Sequence, residues 1–333
     1  MRDKALYFPY INIPSSNWIY YTLLYWDKLY SIVPLDYFEN PDEMTPFMHR
    51  LVIEELVEMV QPGSYLYSIP NFGEPLLKYF EDRIRKRSKR IKHNLNNYSL
   101  VHIEKFHPIK EDLEKQKIII HHNGPWYLMQ TWAAGVFMTY LACLLGSLED
   151  VNAAPVTNDN MTINTLVGRD IHYGPTLRHR ERNVRLSFLE ELFPLPEEGI
   201  SIESLRRFKS KHSNLLSSLR NYIERKTIEI SAIKDDDRFN EVTKLARKEI
   251  KEQINTITEA MKSHWSKVTF TQITPIVSAI SGIGAVFDIK QPYSGILAAS
   301  SALVSAMYTA IHNKHDIMNS PLAYAAMWHK NYG

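Results

Sequence analysis

From the N-terminus to about Pro194, short runs rich in β-branched and aromatic residues alternate with segments of helical spacing, which constrains the fold more than any other feature. "ALYFPYI", "LYSIVP", "SYLYSIP", "YSLVHIEKF", "KIIIHH" and "AAPVT" read as strands. Between them, "NWIYYTLLYWDK" reads as a helix capped by Ser15 or Ser16. "EMTPFMHRLVIEELVEMV" reads as a second, starting at Thr45 with Pro46 in its first turn. Residues 125–145 read as a long uncharged helix. Repeated strand and helix predict right-handed crossovers and a largely parallel sheet covered on both faces.

After "LFPLPEEG" the pattern changes, which predicts an α/β domain over 1–195 and an all-α domain over 196–333. Leu205, Phe208, Leu215 and Leu219 form one helical stripe, and Leu245, Ile250, Ile254, Ile257 and Met261 belong to a second. The acidic run "KDDDRF" interrupts the pattern near Asp236, so two long helices or one broken helix is expected. Residues 268–287 and 292–311 are two uncharged runs separated by "DIKQ". Each is long enough to span a hydrocarbon core of about 30 Å. Both are diluted by Gly, Ser, Thr and Ala, so the apolar hairpin 268–311 is expected to bury against protein, with membrane insertion as the alternative.

With 44% apolar and 23% charged residues, the chain has the makings of an ordinary folded protein and not of a disordered one. The net charge of +2 leaves recognition to local patches. A single cysteine, Cys143, excludes an internal disulfide. The start "MRDKALYFPY" lacks the apolar core of a secretory signal, so a cytoplasmic location is expected.

Seven of the ten residues from Arg83 to Lys92 are basic, including Arg83, Arg85, Lys86, Arg87, Lys89 and Arg90. A second basic cluster holds Arg178 and Arg180. Together they are candidates for phosphate or nucleic-acid binding, against the plainer reading of a solvated helix end. Ligands of open parallel sheets sit beyond the carboxyl ends of the strands, which points to a pocket at Asn12, Asp36, His121 and Asn158. His122 and Asp159 are the acid-base candidates. The chain carries no Walker loop, dinucleotide glycine fingerprint, G-x-S-x-G elbow or zinc-type spacing, so no cofactor and no metal is expected.

Three segments, "ALYFPYINIPSSNWIYYTLLYWDKLYSIVP", "WAAGVFMTYLACLLG" followed by "APVTND", and "NSPLAYAAMWHK", resemble an uncharacterised prokaryotic domain-of-unknown-function family. Trp18, Trp26, Asp27, Pro34, Pro155, Thr157 and Pro321 carry that resemblance. It implies a bacterial intracellular protein with an association with phage defence, and it brings no catalytic residue. The expected function is a sensing, interaction or effector component that oligomerises or binds a protein partner through its helical domain. The alternatives are a membrane-inserting effector and an enzyme acting on nucleic acid or a phosphate ester.

Overall fold

A computed structural model describes residues 2–87, 98–158, 177–197, 199–263 and 318–333. The chain divides into two compact units, Met1–Gly174 and Pro175–Gly333. The helix Leu177–Leu192 therefore belongs with the second unit, although the composition shift lies after it. The expected apolar hairpin 268–311 lies outside the described residues, as do Lys89, Arg90 and Asp159.

The first unit contains the expected α/β fold with a parallel sheet. Strands β1 (Lys4–Tyr7), β2 (Lys28–Ile32), β3 (Val57–Val60) and β7 (Ala153–Val156) pair in the order β3-β2-β1-β7, all parallel. Chain direction across the sheet reverses at β1, which has β2 on one side and β7 on the other. Helix α1 (Asn17–Tyr25) links β1 to β2, and α2 (Leu35–Glu39) and α3 (Pro46–Ile53) lead from β2 to β3. Thr45 caps α3 as expected, its Oγ1 accepting from Met48 N at 3.3 Å with Pro46 in the first turn.

Two elements differ from expectation. The helical spacing of α3 continues through Val60 in the sequence, but the helix ends at Ile53, Glu55 turns the chain at φ 57°, and β3 begins at Val57. "SYLYSIP" is not a strand: it begins as the short helix α4 (Gly63–Leu66) and continues in turns before α5 (Glu74–Arg87).

A second, antiparallel sheet holds β4 (Tyr98–His102), β5 (Ile119–Asn123) and β6 (Trp126–Gln130) in the order β4-β6-β5, with α6 (Lys110–Lys115) preceding β5. Trp126–Gln130 was expected to open the long helix. It is instead the return arm of a hairpin whose turn uses Gly124 at φ 52°, a conformation suited to glycine. Helix α7 (Thr131–Ser147) follows. One core joins the two sheets: Leu6, Ile32 and Val60 share it with Tyr127 and Met129, closed by Phe80 of α5 and Phe137 and Leu141 of α7. At roughly 25 cal/mol per Å² of apolar surface removed from water, each of these side chains contributes about 1.5–3 kcal/mol.

The second unit is helical. Helices α8 (Leu177–Leu192), α9 (Ile202–Ser231), α10 (Asp236–Ser263) and α11 (Ala323–Tyr332) make up its described part. The sequence break at "KDDDRF" is the turn between α9 and α10, where Asp235 Oδ1 accepts from Arg238 N at 2.7 Å. The two expected stripes face inward through Leu205, Phe208 and Leu219 of α9 and Ile250, Ile254 and Ile257 of α10. An aromatic knot of Phe193, Phe208, Tyr324 and Trp328 gathers α11 onto α8 and α9, with Trp328 Nε1 donating to Pro194 O at 2.9 Å. Among the described residues no helix is long and apolar enough to cross a membrane.

Candidate functional site

The loops beyond the carboxyl ends of β1, β2, β3 and β7 carry several polar groups, and each group is committed to a neighbouring loop. Asn12 Oδ1 accepts from Thr45 N at 2.9 Å, tying the loop after β1 to the start of α3. Tyr7 donates its hydroxyl proton to Asn158 Oδ1 at 3.2 Å across β1 and β7, with the Trp18 ring 5.8 Å from that of Tyr7. Asp36 Oδ2 sits 3.3 Å from His102 Nε2. Asn12, Asp36 and Asn158 thus lie at the carboxyl edge of the parallel sheet. His121 does not: it belongs to β5 of the antiparallel sheet, beside Gly124 O at 3.2 Å, and its neighbour His122 is exposed. The expectation of a shared pocket fails for His121 because "KIIIHH" turns back in a hairpin and does not cross over.

His102 ends β4 and turns its ring inward, only 3% of the residue exposed, with Trp126 packed edge-on at 5.2 Å. Nδ1 accepts from Glu104 N at 3.3 Å, so the ring proton lies on Nε2 and points to Asp36. Burial lowers the His102 pKa, and the nearby Asp36 carboxylate opposes that shift. Both ring nitrogens are engaged, so His102 links the end of β4 to the loop after β2.

Glu104 follows and supplies the strongest clip of the region. Its Oε2 accepts from Leu35 N at 2.7 Å, and its Oε1 accepts from Gly63 N at 3.2 Å. One carboxylate therefore binds the loop after β2 and the loop after β3. Two further contacts join the segment after β3 to the segment that carries Glu104: the Tyr67 hydroxyl is hydrogen-bonded to His107 Nδ1, and Gly73 lies so close to Ile109 that a Cβ would fall 2.0 Å from Cγ2. Residues 63–73 are in this way fastened along residues 104–109.

That seam forms the wall of a groove of about 690 Å³, open to solvent. Leu66, Phe72, Leu77 and Ile109 supply its apolar surface. Glu74, Glu81 and Asp112 line it against one cation, Lys78. Glu81 Oε1 accepts from Gln116 Nε2 at 3.3 Å, and Asp112 is paired with the exposed Lys115 at 3.4 Å. The volume lies within the range of small-molecule sites, and the lining is a mixture of apolar surface and a few charges. No protein-family model, curated protein or solved structure matches the chain.

Of the basic candidates, Arg83, Arg85 and Arg180 are engaged. Arg83 donates to Tyr79 Oη at 2.6 Å and lies 4.9 Å from the Trp132 ring centroid, stitching α5 to α7. Arg85 makes an exposed pair with Asp82 at 2.7 Å. Lys86 and Arg87 end α5, and Arg178 stands in the first turn of α8. Arg180 donates to Ile233 O, to Lys234 O at 3.2 Å and to Asp236, and its guanidinium lies 5.0 Å from the Phe239 ring centroid. It clamps the α9–α10 turn. Arg83 belongs to the first unit and Arg180 to the second.

Sequence reasoning missed Glu104, Gly63, Tyr67 and the groove itself. "YSLVHIEKF" looked like one strand, which hid a 3-10 turn at Ile103–Lys105 capped by the His102 side chain. The available signal was "QPGS", a breaker cluster at the carboxyl end of β3.

Proposed function

We propose that the chain is a sensing or effector protein that takes a small amphipathic cation in the groove of its α/β unit and engages a protein partner, or a second copy, through its helical unit. The observation that carries this reading is the groove, with apolar walls and three carboxylates against one lysine. An alkyl or aryl ammonium would bury its hydrocarbon against Phe72, Leu77 and Ile109 and leave its head among Glu74, Glu81 and Asp112. Binding without turnover is supported by the engagement of Asn12 with Thr45, Asp36 with His102 and Asn158 with Tyr7. The resemblance set out above adds a role in phage defence to the proposal, tested by plating phage on cells with and without the gene.

Light scattering on the full-length protein, with and without octylammonium, tests the sensing half. A change in assembly state or in capture of a partner on addition of the cation is expected. A protein that stays a monomer with no partner under both conditions would contradict it.

A further inference from the structure

We propose that the solvent face of helix α9 binds the phosphate backbone of double-stranded nucleic acid. This goes beyond the groove reading, concerns the other unit, and does not depend on it. From Ser204 to Ile223 the helix carries no acidic residue, while Arg206, Arg207, Lys209 and Lys211 crowd its first half. Arg207, Lys211, Asn214, Ser218, Asn221 and Arg225 follow one another at steps of four, three, four, three and four, so they line up on one side of the helix. All six are exposed. At 1.5 Å per residue the stripe is about 27 Å long. The opposite side of α9 buries Leu205, Phe208, Leu215 and Leu219, which fixes the polar stripe outward.

The cations of the stripe are open to a ligand. Arg207 Nε donates to the Glu203 carbonyl of its own helix at 3.4 Å, and among the described residues Lys211 and Arg225 make no ion pair. Two nearby carboxylates are committed elsewhere. Glu224 accepts from Arg185 Nη2 at 2.7 Å, and Glu249, which approaches Tyr222 from α10, accepts from Gln253 Nε2 at 3.1 Å. Lys and Arg that neutralise phosphates release the counterions condensed on a duplex, and Ser and Asn side chains between them donate hydrogen bonds to phosphate oxygens. The composition of the stripe also chooses among polyanions. It holds no aromatic ring on which unpaired bases could stack, which favours a duplex over a single strand. It holds no apolar side chain to anchor a protein hot spot or to enter a bilayer, and the exposed Ile228 falls beyond its end.

The test is fluorescence anisotropy of a labelled mixed-sequence DNA duplex titrated with the full-length protein. Three phosphate-bound cations give a slope of log affinity on log salt of about −2.7, so binding should weaken roughly 40-fold between about 50 and 200 mM salt. Arg207→Gln/Lys211→Gln/Arg225→Gln keeps good helix formers at exposed positions, and circular dichroism should show the fold unchanged. This variant should bind at least about tenfold more weakly at low salt and lose most of the salt slope, whereas Arg207→Lys/Arg225→Lys should keep both. No binding at low salt would overturn the proposal, as would binding that survives the glutamine variant but is lost in Arg85→Gln/Lys86→Gln. A poly-glutamate peptide that competes as well as unlabelled duplex at equal charge would assign the face to an acidic protein and overturn it too. Octylammonium binding to the groove is read separately and enters none of these outcomes.

Discussion

Glu104 reaches the backbone N–H of Gly63 through space that only glycine leaves open: a Cβ at that position would stand 2.8 Å from Oε1 and 3.0 Å from Cγ. Gly63→Ala should push the carboxylate off both of its N–H donors. Charge-assisted hydrogen bonds of this kind are worth about 1.5–3 kcal/mol each, so a loss of roughly 1–3 kcal/mol is expected in urea melts. Glu104→Ala removes the same latch, so the double variant should cost clearly less than the two single costs added together. Additive losses would mean that Gly63 serves some other purpose.

Lys105 and the buried histidines set opposite ends of the pH dependence. The folded-state pKa of Lys105 is depressed to about 8 from 10.5, so its charge opposes folding fully below pH 8 and ceases to do so as pH rises to 10.5. Lys105→Met, which keeps the length and removes the charge, should stabilise the protein by up to about 3 kcal/mol at pH 7 and by little at pH 10.5. Burial lowers the pKa of His102, His212 and His329. The unfolded chain binds protons at these sites near 6.5 while the folded chain resists, so stability should fall as pH drops below 6.5. Chemical denaturation between pH 5 and 10.5 measures both effects, and a flat profile below 6.5 would count against the buried, neutral histidines.

Arg180 is a clamp whose bonds to Ile233, Lys234 and Asp236 hold the turn between the two long helices. Only 12% of the Arg180 side chain is exposed, against 69% of that of Asp236, so the bonds to the backbone carbonyls carry more of the clamp than the ion pair does. Arg180→Met should lower stability by roughly 1–2 kcal/mol, because it removes the bonds to two carbonyls while Asp236 stays open to water. Arg180→Lys should rescue only part of this, since an ammonium cannot reproduce the planar fork. Thermal melts decide the matter. An unchanged melting temperature together with weakened phosphate binding would restore Arg180 to the anion-binding role its sequence setting suggests.

Trp328 is fully buried in the aromatic knot and bonded to Pro194 O. Truncation to Ala should cost about 3–5 kcal/mol, and Trp328→Phe should recover most of the packing while losing the hydrogen bond. Circular dichroism melts of both variants measure the difference. Equal losses would show that the indole N–H matters more than the filled volume.

The sequence made the parallel strands around β1 and β2 legible because they are apolar on both faces and bounded by Pro and Ser. The α9–α10 break was legible because three successive acids interrupt a clear stripe. β3 was hidden, since "VEMV" continues the helical spacing of α3 and only the backbone at Glu55 reveals the turn. β6 was hidden by the uncharged α7 directly after it. The carboxyl edge holding Asn12, Asp36 and Asn158 was legible as a location, whereas the groove lined by Leu66, Phe72, Leu77 and Ile109 was not. The clip made by Glu104 depends on a glycine and a carboxylate 41 positions apart, a pairing that no local period signals.

Isothermal titration of the full-length protein with octylammonium tests the groove most directly, with octanoate and a Glu81→Gln/Asp112→Asn variant as controls. Saturable binding of the cation, absent for octanoate and weakened at least tenfold in the variant, is the predicted result. No saturable heat, or binding that is indifferent to ligand charge and to both substitutions, would contradict a cation-sensing role.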